Sequence, residues 1–92
     1  MNVAANVEGK HILITGGGSG IGAASARVLS ARGATVGIAD LNEGNAKTLA
    51  EEIVASGGKA YAVAVDVTEP AQVKAMFDTA LSHNDKIDVV IN

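Results

Sequence analysis

A glycine-rich segment near the N-terminus constrains the fold of this chain more than any other feature. Residues 15–22 read TGGGSGIG, and they follow a short apolar run at residues 11–15. Apolar residues at helical spacing come directly after the glycines, and Gly33 then suits the left-handed position that ends many helices. The pattern predicts a buried strand, a tight turn and a helix over residues 20–32.

The rest of the chain repeats this alternation of strands and helices. Apolar runs predict strands at residues 35–40, 60–66 and 87–92. Asn42 and Thr68 are the predicted N-caps of the two helices between them. In the first helix, the residues that recur at helical spacing are Ile21, Ala24, Ser25, Val28 and Leu29. The apolar stripe of the second helix consists of Ala46, Leu49, Ala50, Ile53 and Val54. The stripe of the third helix consists of Val73, Met76, Phe77, Ala80 and Leu81.

The order of the elements, βαβαβαβ, indicates an α/β fold. Strands that are apolar on both faces and alternate with helices are typical of a parallel sheet covered on both sides. We predict a Rossmann-like sheet of four strands in the order 3-2-1-4, which is a truncated half of a doubly wound fold.

The composition excludes several classes of protein. Hydrophobic residues make up 48% and charged residues 18% of the chain, which separates it from disordered polymers. A net charge of -3 offers no basic surface for nucleic acid, and two aromatic residues offer no platform for stacked bases. The longest apolar run, residues 60–65, is too short to span a bilayer. The absence of cysteine fits a reducing compartment, so we expect a cytoplasmic protein. From the charge and the short apolar runs we expect neither nucleic-acid nor membrane partners.

The glycine loop has the placement of a phosphate-binding turn. Because it opens a helix, unpaired N–H groups and the positive end of the helix dipole face the position of a bound pyrophosphate. Gly16 permits the tight turn, Gly20 keeps side-chain atoms away from the phosphates, and Gly22 lets the helix approach the strand. Ser19 either contributes its hydroxyl or is an ordinary loop residue. The loop residues predicted to bind a cofactor are Gly16, Gly18, Ser19, Gly20, Ile21 and Gly22.

An acidic residue at the end of the second strand supports a dinucleotide site. Asp40 lies 18 positions after Gly22, where an NAD-binding unit needs an acceptor for the ribose hydroxyls. Its charge would repel the 2′-phosphate of NADP, and its neighbour Leu41, also a predicted cofactor contact, offers no cation. NAD is therefore predicted in preference to NADP. ATP or GTP hydrolysis is unsupported, because the P-loop spacing places Ala23 where a lysine is required.

With these residues placed, the chain resembles the short-chain dehydrogenase/reductase family over nearly its whole length. The family's loop pattern, Thr-Gly-x-x-x-Gly-x-Gly, is matched from Thr15 to Gly22. The resemblance implies that the Asp66 side chain and the Val67 backbone N–H contact the adenine ring. Residues 87–92 resemble the fourth strand that leads into the family's Asn-Asn-Ala-Gly motif. The resemblance thus implies that residues 1–92 are the dinucleotide-binding N-terminal portion of a single Rossmann-fold domain, with the remainder of the domain absent. Asn92 is the first asparagine of that motif, and the resemblance implies a contact with the cofactor's adenosine side.

The resemblance also implies an oxidoreductase that acts on an alcohol or carbonyl substrate, with a tyrosine as general acid and a lysine four residues later that lowers its pKa. Tyr61 is the only tyrosine, and Val65 occupies the position of that lysine. We therefore assign no catalytic residue and expect the 92-residue chain to be inactive, since a small-molecule substrate would bind only a full-length form. The alternative interpretation is a stand-alone, non-catalytic NAD-binding or interaction module.

Other polar residues point to structural roles. His11 opens a predicted buried strand and His83 ends a helix, and neither has a partner cluster, so no metal site is predicted. Asp88, at the start of a strand, is expected to end a turn or to pair with Lys86 or a backbone group. A fragment of a larger domain would expose the edge of its fourth strand and an apolar face of its third helix, so we expect self-association and a homo-oligomer.

Overall fold

The computed structural model describes residues 7–92, which form four strands and three helices in alternation. Each helix follows a strand and leads to the next, as the apolar pattern predicts. Across the described residues, no helix combines the length and the apolar character needed to cross a membrane. The elements are β1 His11–Thr15, α1 Gly20–Ala31, β2 Thr35–Asp40, α2 Glu43–Ala55, β3 Lys59–Ala64, α3 Pro70–His83 and β4 Val89–Ile91.

The four strands form one parallel sheet in the order β3-β2-β1-β4, which confirms the predicted order 3-2-1-4. The central strand, β1, pairs with β2 on one side and with β4 on the other, so Leu13 lies between Gly37 and Val90. Because all strands run in the same direction, their carboxyl ends meet at one edge of the sheet. That edge carries the glycine loop.

Helices cover both faces of the sheet, as predicted for strands that are apolar on both sides. On one face α1 and α2 pack against Ile12, Ile14, Val36 and Ile38. On the other face α3 packs through Met76 and Ala80 against a second apolar cluster. That second cluster includes Leu13, Ala39, Tyr61 and Val65.

Three predicted boundaries are corrected by the structure. β3 ends at Ala64 rather than at residue 66, because its partner β2 ends at Asp40, although the Val65 N–H still donates to the Asp40 carbonyl. β4 is limited to Val89–Ile91 rather than 87–92. Helix α1 ends at residue 31, and the cap residue Arg32 follows.

The predicted N-cap at Thr68 is wrong. Helix α3 begins at Pro70 with Glu69 in the cap position, and the Glu69 side chain makes no capping hydrogen bond. The Thr68 hydroxyl donates instead to the carboxylate of Asp66 at 2.6 Å. A local Asx-type turn therefore takes the hydroxyl that the helix would otherwise use. By contrast, Asn42 caps α2 as predicted, since its side chain accepts from the Asn45 N–H.

The helix stripes are only partly as predicted. In α1 the buried residues are Ala23, Ala26, Leu29 and Ser30, so four of the five positions chosen from the apolar spacing miss the buried face. Val54 of α2 and Leu81 of α3 are exposed as well. Three of the four buried residues of α1 have small side chains, which give little apolar signal in the sequence. Apolar spacing alone therefore does not reveal which face of α1 is buried.

A buried polar cluster lies at the amino ends of the strands, away from the glycine loop. The imidazole of His11 is fully buried between the Tyr61 hydroxyl, 2.6 Å from Nε2, and the Lys86 carbonyl, 2.9 Å from Nδ1. The Tyr61 ring stacks on His83 with the centroids 3.9 Å apart. Asp88 accepts the His11 backbone N–H, which is the main reason that its pKa is lowered. His11 thus has the structural role expected of it, and Tyr61 is its buried hydrogen-bond partner.

Candidate functional site

The predicted cofactor residues come together at the carboxyl ends of the strands. The loop 16–19 joins β1 to α1 at this edge, and Asp40 ends β2 beside it. Asp66 and Val67 follow β3, and Asn92 follows β4. In open α/β sheets, ligands bind in the crevice outside the carboxyl ends of the strands. Each of the four strands therefore delivers a candidate residue to this crevice.

The loop presents backbone donors toward this crevice. Gly16 and Gly20 have φ angles of 66° and 57°, which L side chains rarely adopt, so glycine is required for the turn at both positions. The first intrahelical bond of α1 runs from the Ala23 N–H to the Ser19 carbonyl. The N–H groups that precede it have no partner within the helix. They form a cradle suited to an anionic group.

Ser19 occupies the N-cap position of α1, but its side chain makes no capping hydrogen bond. Its hydroxyl is exposed at the mouth of the loop and is available to a ligand. Ile21, in the first turn of the helix, is 87% exposed. An apolar side chain so exposed beside a polar loop is consistent with a surface that a ligand covers.

Close contacts explain why other loop positions lack side chains. A Cβ on Gly22 would collide with the Gly16 carbonyl and would lie 2.9 Å from the Gly17 Cα. The absence of a side chain at Gly22 therefore lets the start of α1 pack against the glycine loop. The sequence predicted instead that Gly22 lets the helix approach the strand. A Cβ on Gly18 would lie 2.9 Å from Oδ2 of Asp40. The loop is therefore packed tightly against the start of α1 and against Asp40.

Asp40 is held from two sides by backbone donors. Its Oδ2 accepts the Gly18 N–H at 2.9 Å, and its Oδ1 accepts the Asn42 N–H at 2.9 Å. No lysine or arginine within residues 7–92 forms an ion pair with it. Since each carboxylate oxygen has two lone pairs, both oxygens retain acceptor capacity. Such a carboxylate can accept further hydrogen bonds from hydroxyl groups.

A shallow cavity of about 290 Å³ lies next to Asp40. Leu41 and Val67, which are 74% and 60% exposed, provide apolar surface there. Cavities of similar volume occur elsewhere, such as the one beside the Arg27–Glu52 ion pair, so position matters more than size. The lining residues are Gly16, Ala39, Asp40, Leu41, Val65, Asp66, Val67 and Thr68.

Asp66 is oriented by the turn that follows it. Its Oδ1 accepts both the hydroxyl and the backbone N–H of Thr68, at 2.6 and 3.0 Å, and these bonds lower the pKa of the carboxyl. The carboxylate therefore stays charged, and its second oxygen forms no hydrogen bond within the described residues. The Val67 N–H likewise has no protein partner among residues 7–92. An acceptor and a donor thus lie side by side at the cavity.

Asn92 is connected to the loop through Thr15. The Thr15 hydroxyl lies 3.0 Å from Oδ1 of Asn92 and 3.3 Å from the Ile91 carbonyl. This contact joins the carboxyl ends of β1 and β4. Asn92 is exposed and lies at the site edge, as the strand order requires.

Two residues that position the site were not predicted for that role. Asn42 donates its backbone N–H to Asp40, and Thr15 bonds to Asn92. The spacing Asp-x-Asn is typical of an Asx turn and could have revealed the first contact. The second contact depends on the pairing of strands that are distant in sequence. The described residues contain no group of His, Asp and Glu side chains arranged to hold a metal ion.

Comparisons with known proteins agree with this geometry. A family model described as short chain dehydrogenase matches residues 10–92. The 7alpha-hydroxysteroid dehydrogenase of Escherichia coli (strain K12) is 36% identical over 86 residues, which cover 94% of this chain and 34% of that protein. The cyclopentanol dehydrogenase of Comamonas sp. (strain NCIMB 9872) shows the same identity and coverage. The chain thus spans about a third of the length of these curated relatives.

Solved structures show the same likeness. The crystal structure of hydroxysteroid dehydrogenase from Escherichia coli superposes with a TM-score of 0.92 at 35% identity, over 97% of this chain and 36% of that one. The 3-ketoacyl-(acyl-carrier-protein) reductase from Brucella melitensis, solved in complex with NADH, gives a TM-score of 0.86 at 41% identity. It covers 92% of this chain and 34% of that one.

Proposed function

Since this chain belongs to the short-chain dehydrogenase family, we propose that it forms the adenosine- and pyrophosphate-binding half of an oxidoreductase that uses NAD in preference to NADP. The proposed cofactor contacts are those at the carboxyl edge of the sheet. Residues 1–92 are then the N-terminal portion of a single domain, since the relatives are about three times as long. The substrate of the whole protein is an alcohol or carbonyl compound.

The observation that carries this proposal is the environment of Asp40. A carboxylate fixed by two backbone N–H groups, without a cation in contact, can accept the two ribose hydroxyls of NAD. A 2′-phosphate in the same place would meet a negative charge that nothing in the described structure neutralises. The 3-ketoacyl-(acyl-carrier-protein) reductase, solved with NADH, supports a nicotinamide cofactor in general.

The remaining proposed contacts combine the position of these residues in the crevice with the roles that the family resemblance implies. The N–H groups at the start of α1, together with the Ser19 hydroxyl, would hold the pyrophosphate. The adenine ring would lie in the cavity between Leu41 and Val67, with Asp66 and the Val67 N–H at its polar edge. Asn92 would contact the adenosine side from β4. When bound, NAD supplies the hydride acceptor of the reaction.

The chemistry on the substrate is proposed to need residues beyond this chain. Tyr61 is engaged with His11 at the amino ends of the strands, so its hydroxyl does not face the cofactor crevice. A cytoplasmic location and a homo-oligomeric assembly belong to this proposal. Exposed Val89 and Val90 on β4 and Leu81 on α3 agree with a surface that further chain or a second subunit covers.

Calorimetric titration of the chain with NAD and with NADP tests the cofactor assignment. We expect NAD to bind at least about tenfold more tightly, since a single repelled phosphate costs on the order of 1 kcal/mol or more. Equal or tighter binding of NADP would contradict the preference. Failure of both to bind, to this chain and to a full-length form, would contradict the cofactor site itself.

A matched pair of variants locates the site. Gly20→Ala and Gly57→Ala both place a Cβ at a positive φ, 57° and 93°, and neither Cβ meets protein atoms within 4 Å. Both variants should lose roughly 1 to 2 kcal/mol of stability from backbone strain. Only Gly20→Ala should also weaken NAD binding, because only Gly20 lies at the phosphate loop. Equal NAD affinities in the two variants would place the dinucleotide elsewhere.

A further inference from the structure

The carboxylate of Asp40 connects the phosphate loop to the end of β2. We propose that Asp40 is a positioning residue for this loop, in addition to its proposed contact with ribose. Its Oδ2 accepts the Gly18 N–H and thereby holds the loop in the conformation that presents backbone donors to the pyrophosphate. The cofactor part of this inference rests on the proposed function, whereas the contact between side chain and loop does not.

Two consecutive loop amides are bound to β2, but in different ways. The Gly17 N–H donates to the Ala39 carbonyl at 3.2 Å, a bond that any residue at position 39 can form. The Gly18 N–H donates at 2.9 Å to a side chain, so this bond exists only with a suitable acceptor at position 40. Hydrogen bonds from N–H groups to carboxylates are shorter and stronger than those to neutral acceptors. Asp40 therefore supplies the stronger of the two attachments.

The carboxylate is itself well placed to hold the loop. The Asn42 N–H fixes its other oxygen, and Asn42 in turn caps α2 through its bond from the Asn45 N–H. A Cβ at Gly18 would lie 2.9 Å from Oδ2 and 3.1 Å from the Ala46 backbone nitrogen. The loop thus rests directly on the carboxylate and on the first turn of α2, with no room between them.

This arrangement has a consequence for cofactor preference. If Asp40 acted only on the ribose, its replacement by alanine would weaken NAD binding and improve NADP binding, because the repelling charge is gone. If Asp40 also holds the loop, the same replacement leaves the Gly18 N–H without an acceptor. The pyrophosphate cradle then loosens for both dinucleotides, so NADP gains less than removal of the charge alone would give.

The test compares Asp40→Ala and Asp40→Asn with the control Glu43→Ala. Glu43 is an exposed carboxylate in the first turn of α2, and its side chain forms no hydrogen bond or ion pair within the described residues. The control therefore also removes one negative charge near the site, but it leaves the loop contacts unchanged. Amide hydrogen exchange of Gly18 is measured in the ligand-free chain, with Leu13 of the sheet as the internal reference. Dissociation constants for NAD and NADP are measured by calorimetry.

In Asp40→Ala we expect Gly18 exchange to rise about tenfold or more while Leu13 exchange is unchanged, which also shows that the variant is folded. NAD should bind about tenfold or more weakly, and any gain in NADP affinity should be smaller than the loss in NAD affinity. Asp40→Asn should give intermediate Gly18 exchange, because the amide oxygen can still accept one bond. Glu43→Ala should change none of these values.

Unchanged Gly18 exchange in Asp40→Ala would overturn the inference, and so would a gain in NADP affinity as large as the loss in NAD affinity. If neither the unmodified chain nor a full-length form binds a dinucleotide, the proposed function fails, and Gly18 exchange alone then decides the positioning role. If Asp40→Ala does not fold, Asp40→Asn replaces it in the comparison. Gly18 exchange in Asp40→Asn equal to that in Glu43→Ala would then refute the positioning role.

Discussion

Replacement of Tyr61 by phenylalanine isolates the hydroxyl at the centre of the buried polar cluster. The Lys86 carbonyl can only accept, so Nδ1 of His11 carries the proton and Nε2 is an acceptor that needs the Tyr61 hydroxyl. Phenylalanine keeps the ring over β2 but leaves this fully buried nitrogen unpaired. We expect a loss of about 1 to 3 kcal/mol in the free energy of unfolding.

This loss should be readily measurable in a chain of this size. For a domain of 60 to 100 residues, each kcal/mol lowers Tm by roughly 4 to 8 °C. Urea denaturation followed by circular dichroism gives the free energy directly, and the slope with urea should not change, since the same surface is exposed on unfolding. The control His83→Ala removes the ring stacked on Tyr61 and leaves the bond to His11 intact.

Alkaline pH provides a signature that packing changes cannot imitate. Burial raises the pKa of Tyr61 to about 12, from 10. Between these values the folded chain keeps a proton that the unfolded chain loses, so stability is complete below pH 10 and falls as pH rises through 12. The difference corresponds to about 2.7 kcal/mol at most, at 1.36 kcal/mol per pH unit. Tyr61→Phe should lack this slope, whereas His83→Ala should retain part of it, because the hydroxyl remains but the ring that covers Tyr61 is lost.

Two results would refute this account of the cluster. Equal stability of Tyr61→Phe and the unmodified chain at neutral pH would mean that the hydroxyl does not satisfy a buried acceptor. An identical alkaline slope in both proteins would mean that other groups, such as the lysines, cause all of the destabilisation.

Three further predictions follow from individual contacts. Gly37→Ala should destabilise the fold by about 1 to 3 kcal/mol in urea denaturation, because its Cβ would collide with the Tyr61 ring, whereas Gly44→Ala on α2 should be neutral or stabilising. Thr68→Val should raise the pKa of Asp66, followed by NMR titration, because the hydroxyl bond that lowers that pKa is lost; an unchanged pKa would show that the bond is not formed in solution. The purified chain should form no NADH above background with any panel of alcohols, and measurable turnover would contradict the absence of catalytic residues.

The fold could be predicted almost completely because its determinants are local. Apolar runs, the glycine loop and the cap at Asn42 each act within a few residues, and together they specify the order of strands and helices. The ends of β3 and β4 depend on where their partner strands stop, so their apolar runs extend beyond the paired residues. The buried face of α1 consists largely of Ala23 and Ala26, and alanine is too weakly hydrophobic to reveal it.

The candidate site likewise has a part that sequence spacing predicts and a part that only the tertiary structure shows. Asp40 and the loop glycines were placed from spacing, because strand, loop and helix follow one another directly in the chain. The attachment of Gly18 to Asp40 joins positions 22 residues apart and appears only when β1 and β2 lie side by side. Spacing therefore predicts which residues reach the crevice, whereas tertiary structure decides how their donors and acceptors are already engaged.

One glycine shows how such a tertiary contact could be found from sequence. Gly37 lies in the middle of the buried strand β2, where it pairs with Tyr61 on one side and with Leu13 on the other. Because position 37 has no side chain, the Tyr61 ring crosses over β2 and reaches His11, two residues before Leu13. A glycine within an otherwise apolar strand thus signals that a neighbouring side chain crosses there. At this end of the sheet the buried polar atoms satisfy one another, whereas the opposite end keeps free donors and acceptors, as a binding crevice requires.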